Sequence, residues 1–142
     1  MKKYLFIVSL LCLLAACTGK RQGEAAVEVA ALPAVEDVVM YQVNLRVFAP
    51  EKSFKAVERR LDSIQALGIN VVWFMPINEV GQEKSVNSPY CVKDYKGVNP
   101  EFGTLDEFKA LVATCHQKGM NVIIDWVANH TSWDNAWIAN KE

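Results

Sequence analysis

The sequence predicts an α/β fold built from parallel βα units, and three observations support that prediction. Short runs of apolar, largely β-branched residues alternate with longer segments in which apolar residues recur every three or four positions. The spacing between the runs leaves room for the helical crossover that parallel strands require. Polar side chains follow the last run, at residues 125–131, and the carboxyl ends of parallel strands are where α/β proteins place their active sites.

The first 17 residues have the features of a bacterial lipoprotein signal peptide. Lys2 and Lys3 provide positive charge, and residues 4–14 form an apolar segment that is too short to span a bilayer. The segment ends in Leu-Ala-Ala-Cys, which resembles a lipobox, so we expect Cys17 to be lipidated. The alternative is a plain signal peptide cleaved at a small residue. The lipobox predicts an exported, membrane-anchored lipoprotein that is periplasmic or at the cell surface.

Residues 18–36 are predicted to be a flexible tether between the lipid and a folded domain. They lack aromatic side chains and mix Gly, Pro and charged residues. The whole chain is 51% hydrophobic and 22% charged, with a formal net charge of −1, which is an ordinary globular balance. Because no basic stripe is present, the composition argues against nucleic acid as a partner.

Two of the four cysteines are expected to remain as thiols in the domain. Cys12 leaves with the signal peptide and Cys17 carries lipid, so Cys91 and Cys115 remain. An exported compartment permits a disulfide. However, Cys91 is predicted in a loop, and Cys115 lies ~15 Å along the following helix, at 1.5 Å per residue. We therefore expect two separate thiols.

The first predicted βα unit consists of a strand at residues 38–43 and a helix that follows it. Ser53 is a candidate cap for the helix, although the acidic partner of a full capping box is missing. Gly68 suits the end of the helix. The apolar stripe of the helix comprises Phe54, Val57, Leu61, Ile64 and Leu67.

The second predicted strand covers residues 70–76 and ends at a proline, which cannot continue a ladder. A long loop at residues 78–103 comes next, and loops of this length inside compact domains tend to be functional. Thr104 and Glu107 form a capping box that opens the second helix, which ends at Gly119. The third predicted strand covers residues 120–125.

Three strands alternating with two helices predict an incomplete (β/α)8 TIM barrel of which only the first three βα units are present. A complete barrel takes ~250 residues, about twice the length of chain beyond the signal peptide. Three such strands would leave one edge unpaired and one face partly bare. We therefore interpret residues 37–142 as the N-terminal portion of the catalytic barrel of a larger enzyme.

Four segments carry a resemblance to glycoside hydrolase family 13, the α-amylase family. They are Tyr41 with Gln42, residues 67–73 with Pro76, residues 88–104, and the last segment. That last segment contains Asp125, Asn129 and His130 and matches the pattern Asp-x-x-x-Asn-His. Each match alone is weak, but their order and spacing together are specific. The resemblance implies a glycosidase that acts on α-linked glucans by a retaining mechanism.

The resemblance also implies roles for individual residues. Tyr90 matches the aromatic residue that stacks on the sugar next to the scissile bond, and His130 matches the histidine that hydrogen-bonds the primary hydroxyl of that sugar. Asp125 matches a carboxylate that supports the catalytic cluster, and Asn129 matches a residue that contributes to a calcium site in many members. Without the resemblance, Tyr90 would be interpreted as a packing aromatic, His130 as a structural histidine and Asp125 as a side chain bonding loop amides.

The resemblance places the nucleophile and the general acid after the fourth and fifth strands of the barrel. None of those strands is predicted in this chain, so we expect the chain alone to be inactive. The alternative is a non-catalytic relative that binds α-glucan polysaccharide or oligosaccharide, or associates with a transporter. Tryptophans 126, 133 and 137 could form an aromatic sugar-binding surface or could pack in the core and loops. For Trp126 the packing interpretation includes a side chain that turns inward.

Overall fold

The computed structural model describes residues 31–139. The predicted signal peptide, Cys17 and the part of the predicted tether before residue 31 lie outside the described residues. No helix in the described part of the chain is long and apolar enough to cross a membrane. The elements in chain order are a 3₁₀ turn (Val35–Asp37), β1 (Met40–Val43), α1 (Leu45–Phe48), α2 (Ser53–Glu58), α3 (Leu61–Ala66), β2 (Val71–Phe74), β3 (Glu79–Val80), β4 (Val92–Asp94), α4 (Leu105–Gln117), β5 (Asn121–Ile124) and α5 (Ala136–Ala139).

Strand β2 lies at the centre of a three-stranded parallel sheet, with β1 on one side and β5 on the other. The register pairs Gln42 with Trp73, and Trp73 with Ile123. The predicted parallel arrangement of the three main strands is therefore confirmed, although each strand is shorter than predicted. The carboxyl ends of the three strands meet at one edge of the sheet, where the loops that follow them come together.

One face of the sheet is covered by the helical layer, and the core lies between them. The ring of Phe108 in α4 packs 5.1 Å from that of Phe54 in α2 and 5.7 Å from that of Phe74 in β2, measured between centroids. Burial of each such side chain contributes about 1.5–3 kcal/mol. The remaining buried members of this core are Val43, Leu45, Val57, Leu61, Ile64, Val72, Ile77, Phe102, Leu111, Cys115 and Met120.

The opposite face of the sheet is open in the described part of the chain. Side chains alternate between the faces of a strand, and the register places Met40, Gln42, Trp73 and Ile123 on this open face. Met40 and Ile123 are both exposed. This agrees with the expectation that three strands leave one face of the sheet partly bare.

The first predicted helix is two short helices, α2 and α3. The chain tightens at Arg60, whose backbone N–H donates to the Val57 carbonyl at 2.8 Å. The predicted apolar stripe is buried across the break between the two helices as far as Ile64. Leu67 is exposed, so its predicted burial is wrong. The predicted cap is also wrong, because Ser53 lies inside α2 and its hydroxyl donates to the Ala49 carbonyl at 3.0 Å.

The second predicted helix is confirmed as α4, with its capping box. The backbone N–H of Glu107 donates to the Thr104 hydroxyl at 3.1 Å, and the Glu107 carboxylate accepts from the Thr104 N–H at 2.9 Å. Gly119 follows the helix with a φ of +75°, a conformation that disfavours other residues. The helix therefore ends where the sequence predicts.

The long loop at residues 78–103 contains a small antiparallel ladder that the sequence did not predict. Strands β3 and β4 pair through Glu79 with Asp94 and Val80 with Val92, with an irregularity between the two pairs. Val80 and Val92 are buried, which anchors the ladder. The ladder divides the loop into two parts, and the first part carries Tyr90.

The two described cysteines are free thiols, as predicted. Cys91 is half-buried in the long loop, whereas Cys115 is fully buried in α4. Burial raises the pKa of the Cys115 thiol to about 12, and the nearby negative charge of Glu58 adds to the effect. Only the thiolate is nucleophilic, so Cys115 is protected by both its pKa and its burial.

We therefore predict that iodoacetamide alkylates Cys91 well before Cys115 in the native chain at neutral pH. Peptide mass spectrometry measures the two rates separately. In urea the two rates should converge, because both thiols are then exposed and the burial that raises the pKa of Cys115 is lost. Equal rates in the native chain would contradict the buried placement of Cys115.

Candidate functional site

Asp125, the first residue after β5, is the hub of the candidate site. Its Oδ1 accepts a hydrogen bond from the indole Nε1 of Trp73 at 2.5 Å, and its Oδ2 accepts one from the Tyr90 hydroxyl at 2.7 Å. Trp73 lies on the neighbouring strand and Tyr90 lies in the long loop. The carboxylate therefore joins two strands and the loop at the carboxyl edge of the sheet.

His130 also contacts Tyr90, through the backbone. Its Nε2 lies 3.1 Å from the Tyr90 carbonyl oxygen, and its Nδ1 lies 3.4 Å from the amide nitrogen of Asn129. The carbonyl only accepts and the amide nitrogen only donates, so both contacts are satisfied when Nε2 carries the proton and Nδ1 accepts. The structure thus brings together Tyr90, Asp125 and His130, the three residues predicted to bind substrate.

Tyr95 holds the backbone beneath His130. Its hydroxyl lies 2.8 Å from the Val127 carbonyl and 2.6 Å from the His130 carbonyl, and its single proton is shared between these two acceptors. Its ring stacks on Trp137, with centroids 5.3 Å apart and an interplanar angle of 10°. A side chain of the long loop therefore fixes the backbone of the segment after β5.

Tyr90 lies within a short turn of residues 88–91 that positions its backbone. The Ser88 hydroxyl accepts from the Tyr90 N–H at 3.3 Å, and the Cys91 N–H donates to the Ser88 carbonyl at 3.0 Å. Because its hydroxyl is tied to Asp125, the ring is held at one end while 38% of the residue stays exposed. The phenol is therefore held in place while part of the residue remains accessible.

Comparison with known proteins gives this site a family. The sequence profile of the alpha-amylase family, described as "Alpha amylase, catalytic domain", matches residues 53–142, which is more than half of the chain. The chain belongs to the α-amylase family. The matched range contains every residue of the candidate site.

Individual relatives show how much of the family fold is present. A probable oligo-1,6-glucosidase 2 of Bacillus subtilis is 32% identical over 112 residues, which cover 75% of this chain and 19% of that protein. The amino acid transporter heavy chain SLC3A1 of Rattus norvegicus is 36% identical over 107 residues, covering 72% and 15%. The crystal structure of an alpha-amylase from Lactobacillus plantarum is 40% identical with a TM-score of 0.67, covering 72% and 25%. The chain spans about a fifth of the length of the glucosidase.

Three tryptophans of this α-amylase-family chain, at positions 126, 133 and 137, are exposed. Trp126 is 83% exposed, so the inward orientation considered from the sequence is wrong. Trp137 is exposed on the side away from Tyr95, and Trp133 lies under the ammonium of Lys84, 3.8 Å from the ring centroid. A cavity of about 340 Å³ beside His130 is lined by Tyr95, Trp126, Val127, Ala128, Asn129, Thr131 and Trp137.

The described residues do not by themselves fit a calcium ion. Calcium takes six to eight oxygen ligands. Asn129 is exposed, its amide nitrogen faces His130, and no cluster of three or more His, Cys, Asp or Glu side chains among residues 31–139 is arranged to hold a metal. Calcium binding at Asn129 therefore stays a prediction.

Trp73 and Tyr95 are site residues that the sequence did not single out. Trp73 lies within a strand, where a large aromatic residue is ordinary core composition. Its position close to the carboxyl end of the second predicted strand is the signal that the sequence offered. Tyr95 had no such signal, since only the folded loop brings its hydroxyl to the segment after β5.

The hydrogen bond to Asp125 raises the pKa of the Tyr90 phenol, and partial burial and the negative charge of Asp125 add to this effect. Because the folded-state pKa is raised, the contact stabilises the fold at and below the ordinary tyrosine pKa of about 10 and is lost as the pH rises through the folded value. We predict that Asp125→Asn lowers the pKa of Tyr90 towards about 10.

The measurement is a ¹³C NMR titration of the Tyr90 ring, assigned with Tyr90→Phe. Asp94→Asn is the matched control, because it removes a carboxylate from the loop that carries Tyr90, and among the described residues that carboxylate accepts a hydrogen bond from the Lys96 N–H rather than from Tyr90. A Tyr90 titration that is the same in Asp125→Asn and in the wild type would contradict the contact.

Proposed function

We propose that this chain supplies one wall of the active site of an α-amylase-type glycoside hydrolase that acts on α-linked glucans with retention. The observation that carries the proposal is the convergence of Tyr90, Asp125 and His130 at the carboxyl edge of the sheet. This is the edge at which β/α-barrel enzymes keep their catalytic residues. The family match supplies the class of reaction.

The proposed role of Tyr90 is to stack on a glucosyl ring. A pyranose presents a flat face of C–H bonds, and an aromatic ring buries that face with a defined orientation. Tyr90 suits this role for two reasons. The residue is partly exposed, so a sugar can reach it, and its hydroxyl is held by Asp125 at 2.7 Å, which fixes its orientation. A ring held in place before binding loses little conformational freedom when the sugar arrives.

The proposed role of His130 is to hydrogen-bond the primary hydroxyl of that sugar. The ring is exposed and lies next to the Tyr90 backbone, so a sugar on the Tyr90 face is within its reach. The weak 3.4 Å contact to Asn129 leaves Nδ1 able to accept from a ligand hydroxyl. This contact would orient the sugar rather than cleave it.

Asp125 is proposed to organise the site and not to attack the sugar. Both of its oxygens already accept hydrogen bonds, which hold the carboxylate in place. Asp94 caps a turn at Lys96, and Glu107 belongs to the capping box of α4. Retaining hydrolysis requires two carboxyl groups about 5 Å apart. We propose that residues other than 31–139 supply them and that this chain alone is inactive.

In the full-length enzyme, Tyr90→Ala should lower kcat/KM for a maltooligosaccharide by roughly 100-fold, because loss of substrate positioning has costs of that order. Tyr90→Phe is the matched control, since it keeps the stacking face and loses only the hydroxyl contact to Asp125. The test is steady-state hydrolysis of maltopentaose. Unchanged kcat/KM in Tyr90→Ala would refute the stacking role.

A second candidate function is a non-catalytic family member that binds glucan or associates with a transporter. The similarity to the transporter heavy chain of Rattus norvegicus favours it, because that relative is matched about as well as the glucosidase. Hydrolysis of maltopentaose by the full-length protein would exclude the second function. Binding of the sugar without turnover would support a glucan-binding role.

We also propose that the chain is exported and anchored in a bacterial membrane through lipid on Cys17, at the periplasm or the cell surface. The support is the lipobox at the end of a short apolar segment. An anchored hydrolase outside the cytoplasm suits a polymeric substrate that is too large to enter a cell.

We also propose that a calcium ion binds near Asn129.

Cys17→Ser should abolish incorporation of radiolabelled palmitate during expression in a bacterial host. It should also move the protein from the membrane fraction to the soluble fraction, because the acyl chains supply the membrane affinity. Cys12→Ser is the matched control, since it lies inside the apolar segment and should have no effect. Labelling that persists in Cys17→Ser would contradict the lipobox.

A further inference from the structure

We propose that Arg46 is a positioning residue of the candidate site. It clamps the long loop so that the Tyr90 hydroxyl stays hydrogen-bonded to Asp125. Arg46 lies in α1, directly after β1, and belongs to neither the long loop nor the segment after β5. It does not contact Asp125 or His130. Its action on the site is therefore indirect, through the loop that carries Tyr90.

The guanidinium of Arg46 joins two distant points of the loop. Its Nη1 donates to the Asn87 carbonyl at 2.6 Å and its Nη2 donates to the Asn87 Oδ1 at 3.0 Å. Its Nε donates to the Glu101 carboxylate at 3.1 Å. Asn87 precedes the Tyr90 turn, and Glu101 lies near the end of the loop. One side chain thus ties the segment before the Tyr90 turn to the end of the loop.

Asn87 is the residue through which Arg46 can control the position of the turn that carries Tyr90. Its φ is +59°, a left-handed conformation that asparagine tolerates better than most residues. The next residue, Ser88, accepts the Tyr90 N–H, so the position of Asn87 sets the position of the turn. Releasing Asn87 would free the turn to leave Asp125.

The chemistry of the clamp is specific to arginine. Three donors in one plane reach three acceptors on two residues, which a single ammonium group on a flexible chain does not reproduce. Only 26% of the Arg46 side chain is exposed, compared with 56% for Glu101. The simpler interpretation is a surface ion pair, which contributes little to global stability. The clamp interpretation differs from the ion-pair interpretation because it predicts that loss of Arg46 opens residues 87–91 locally without global unfolding.

Two cysteines serve as internal reporters for this distinction. Cys91 closes the Tyr90 turn, because its N–H donates to the Ser88 carbonyl, and Cys115 is fully buried in the core. Opening of the turn exposes Cys91 alone, whereas global unfolding exposes both thiols. The ratio of the two alkylation rates therefore separates the clamp from a general contribution to stability.

The experiment compares Arg46→Met with Arg59→Met in the full chain. Arg59 is exposed and, among the described residues, its side chain makes no hydrogen bond or ion pair, so the control removes the same charge without the clamp. With iodoacetamide, we expect Cys91 to react about fivefold faster in Arg46→Met and Cys115 to react at the wild-type rate. Arg46→Lys should give a smaller acceleration of Cys91.

A second readout follows Tyr90 itself. In Arg46→Met the titration midpoint of Tyr90 in ¹³C NMR should fall towards that of an ordinary tyrosine, since the phenol leaves the Asp125 carboxylate. In Arg59→Met the midpoint should stay at the wild-type value. A surface ion pair with no positioning role would not move this midpoint.

Three outcomes would overturn the proposal. These are a Cys91 rate in Arg46→Met equal to that in Arg59→Met, an equal acceleration of Cys91 and Cys115, and an unchanged Tyr90 midpoint. If Arg46→Met does not fold, as judged by circular dichroism, Glu101→Ala decides the question. It removes the acceptor of the Arg46 Nε at an exposed residue outside the Tyr90 turn. Cys91 should then react faster than in the wild type, and an unchanged rate would overturn the clamp.

The catalytic consequence of the clamp rests on the proposed function. If Tyr90 stacks on a glucosyl ring, Arg46→Met should also lower kcat/KM for maltopentaose in the full-length enzyme. The alkylation and titration measurements use no sugar. A wild-type enzyme that neither binds nor cleaves maltopentaose would therefore overturn the proposed function and leave the clamp standing on its own test.

Discussion

The central place of β2 in the parallel sheet is the constraint on which the rest of the structure depends. With β1 on one side and β5 on the other, β2 brings Gln42, Trp73 and Ile123 into one row across the open face. Because all three strands point the same way, the loops that follow them leave from the same edge. The candidate site is a consequence of that shared direction, and the buried aromatic residues on the other face hold it in place.

Asp125 converts this shared edge into a defined site. A half-buried carboxylate requires hydrogen-bond donors, and here it takes one from Trp73 on the central strand and one from Tyr90 on the long loop. The need to satisfy one charge therefore connects the rigid sheet to a loop with little regular structure. The same contact directs the Tyr90 ring, so the stability of the site and its proposed capacity to bind sugar have a common origin.

The long loop is ordered by side chains that lie at its margins. The β3–β4 ladder anchors it through Val80 and Val92, and Arg46 holds Asn87 and Glu101 from the end of β1. Tyr95, which belongs to the loop, in turn holds the segment after β5 through the His130 carbonyl. Loop and segment thus fix each other, which allows precise placement of ligand-binding groups outside the regular elements.

The sequence by itself determined the order of the three parallel strands and of the helices between them, the capping box at Thr104 and the separate thiols, and it predicted Tyr90, Asp125 and His130 as site residues. These features rest on periodicity, on local backbone chemistry and on short motifs, all of which involve neighbours in the chain. Only the tertiary structure decided the roles of Arg46, Trp73 and Tyr95, the break between α2 and α3 and the exposure of Leu67 and Trp126. The roles of Arg46, Trp73 and Tyr95 depend on contacts between residues far apart in sequence, such as the 52 positions that separate Trp73 from Asp125, and no local pattern encodes which distant groups will meet.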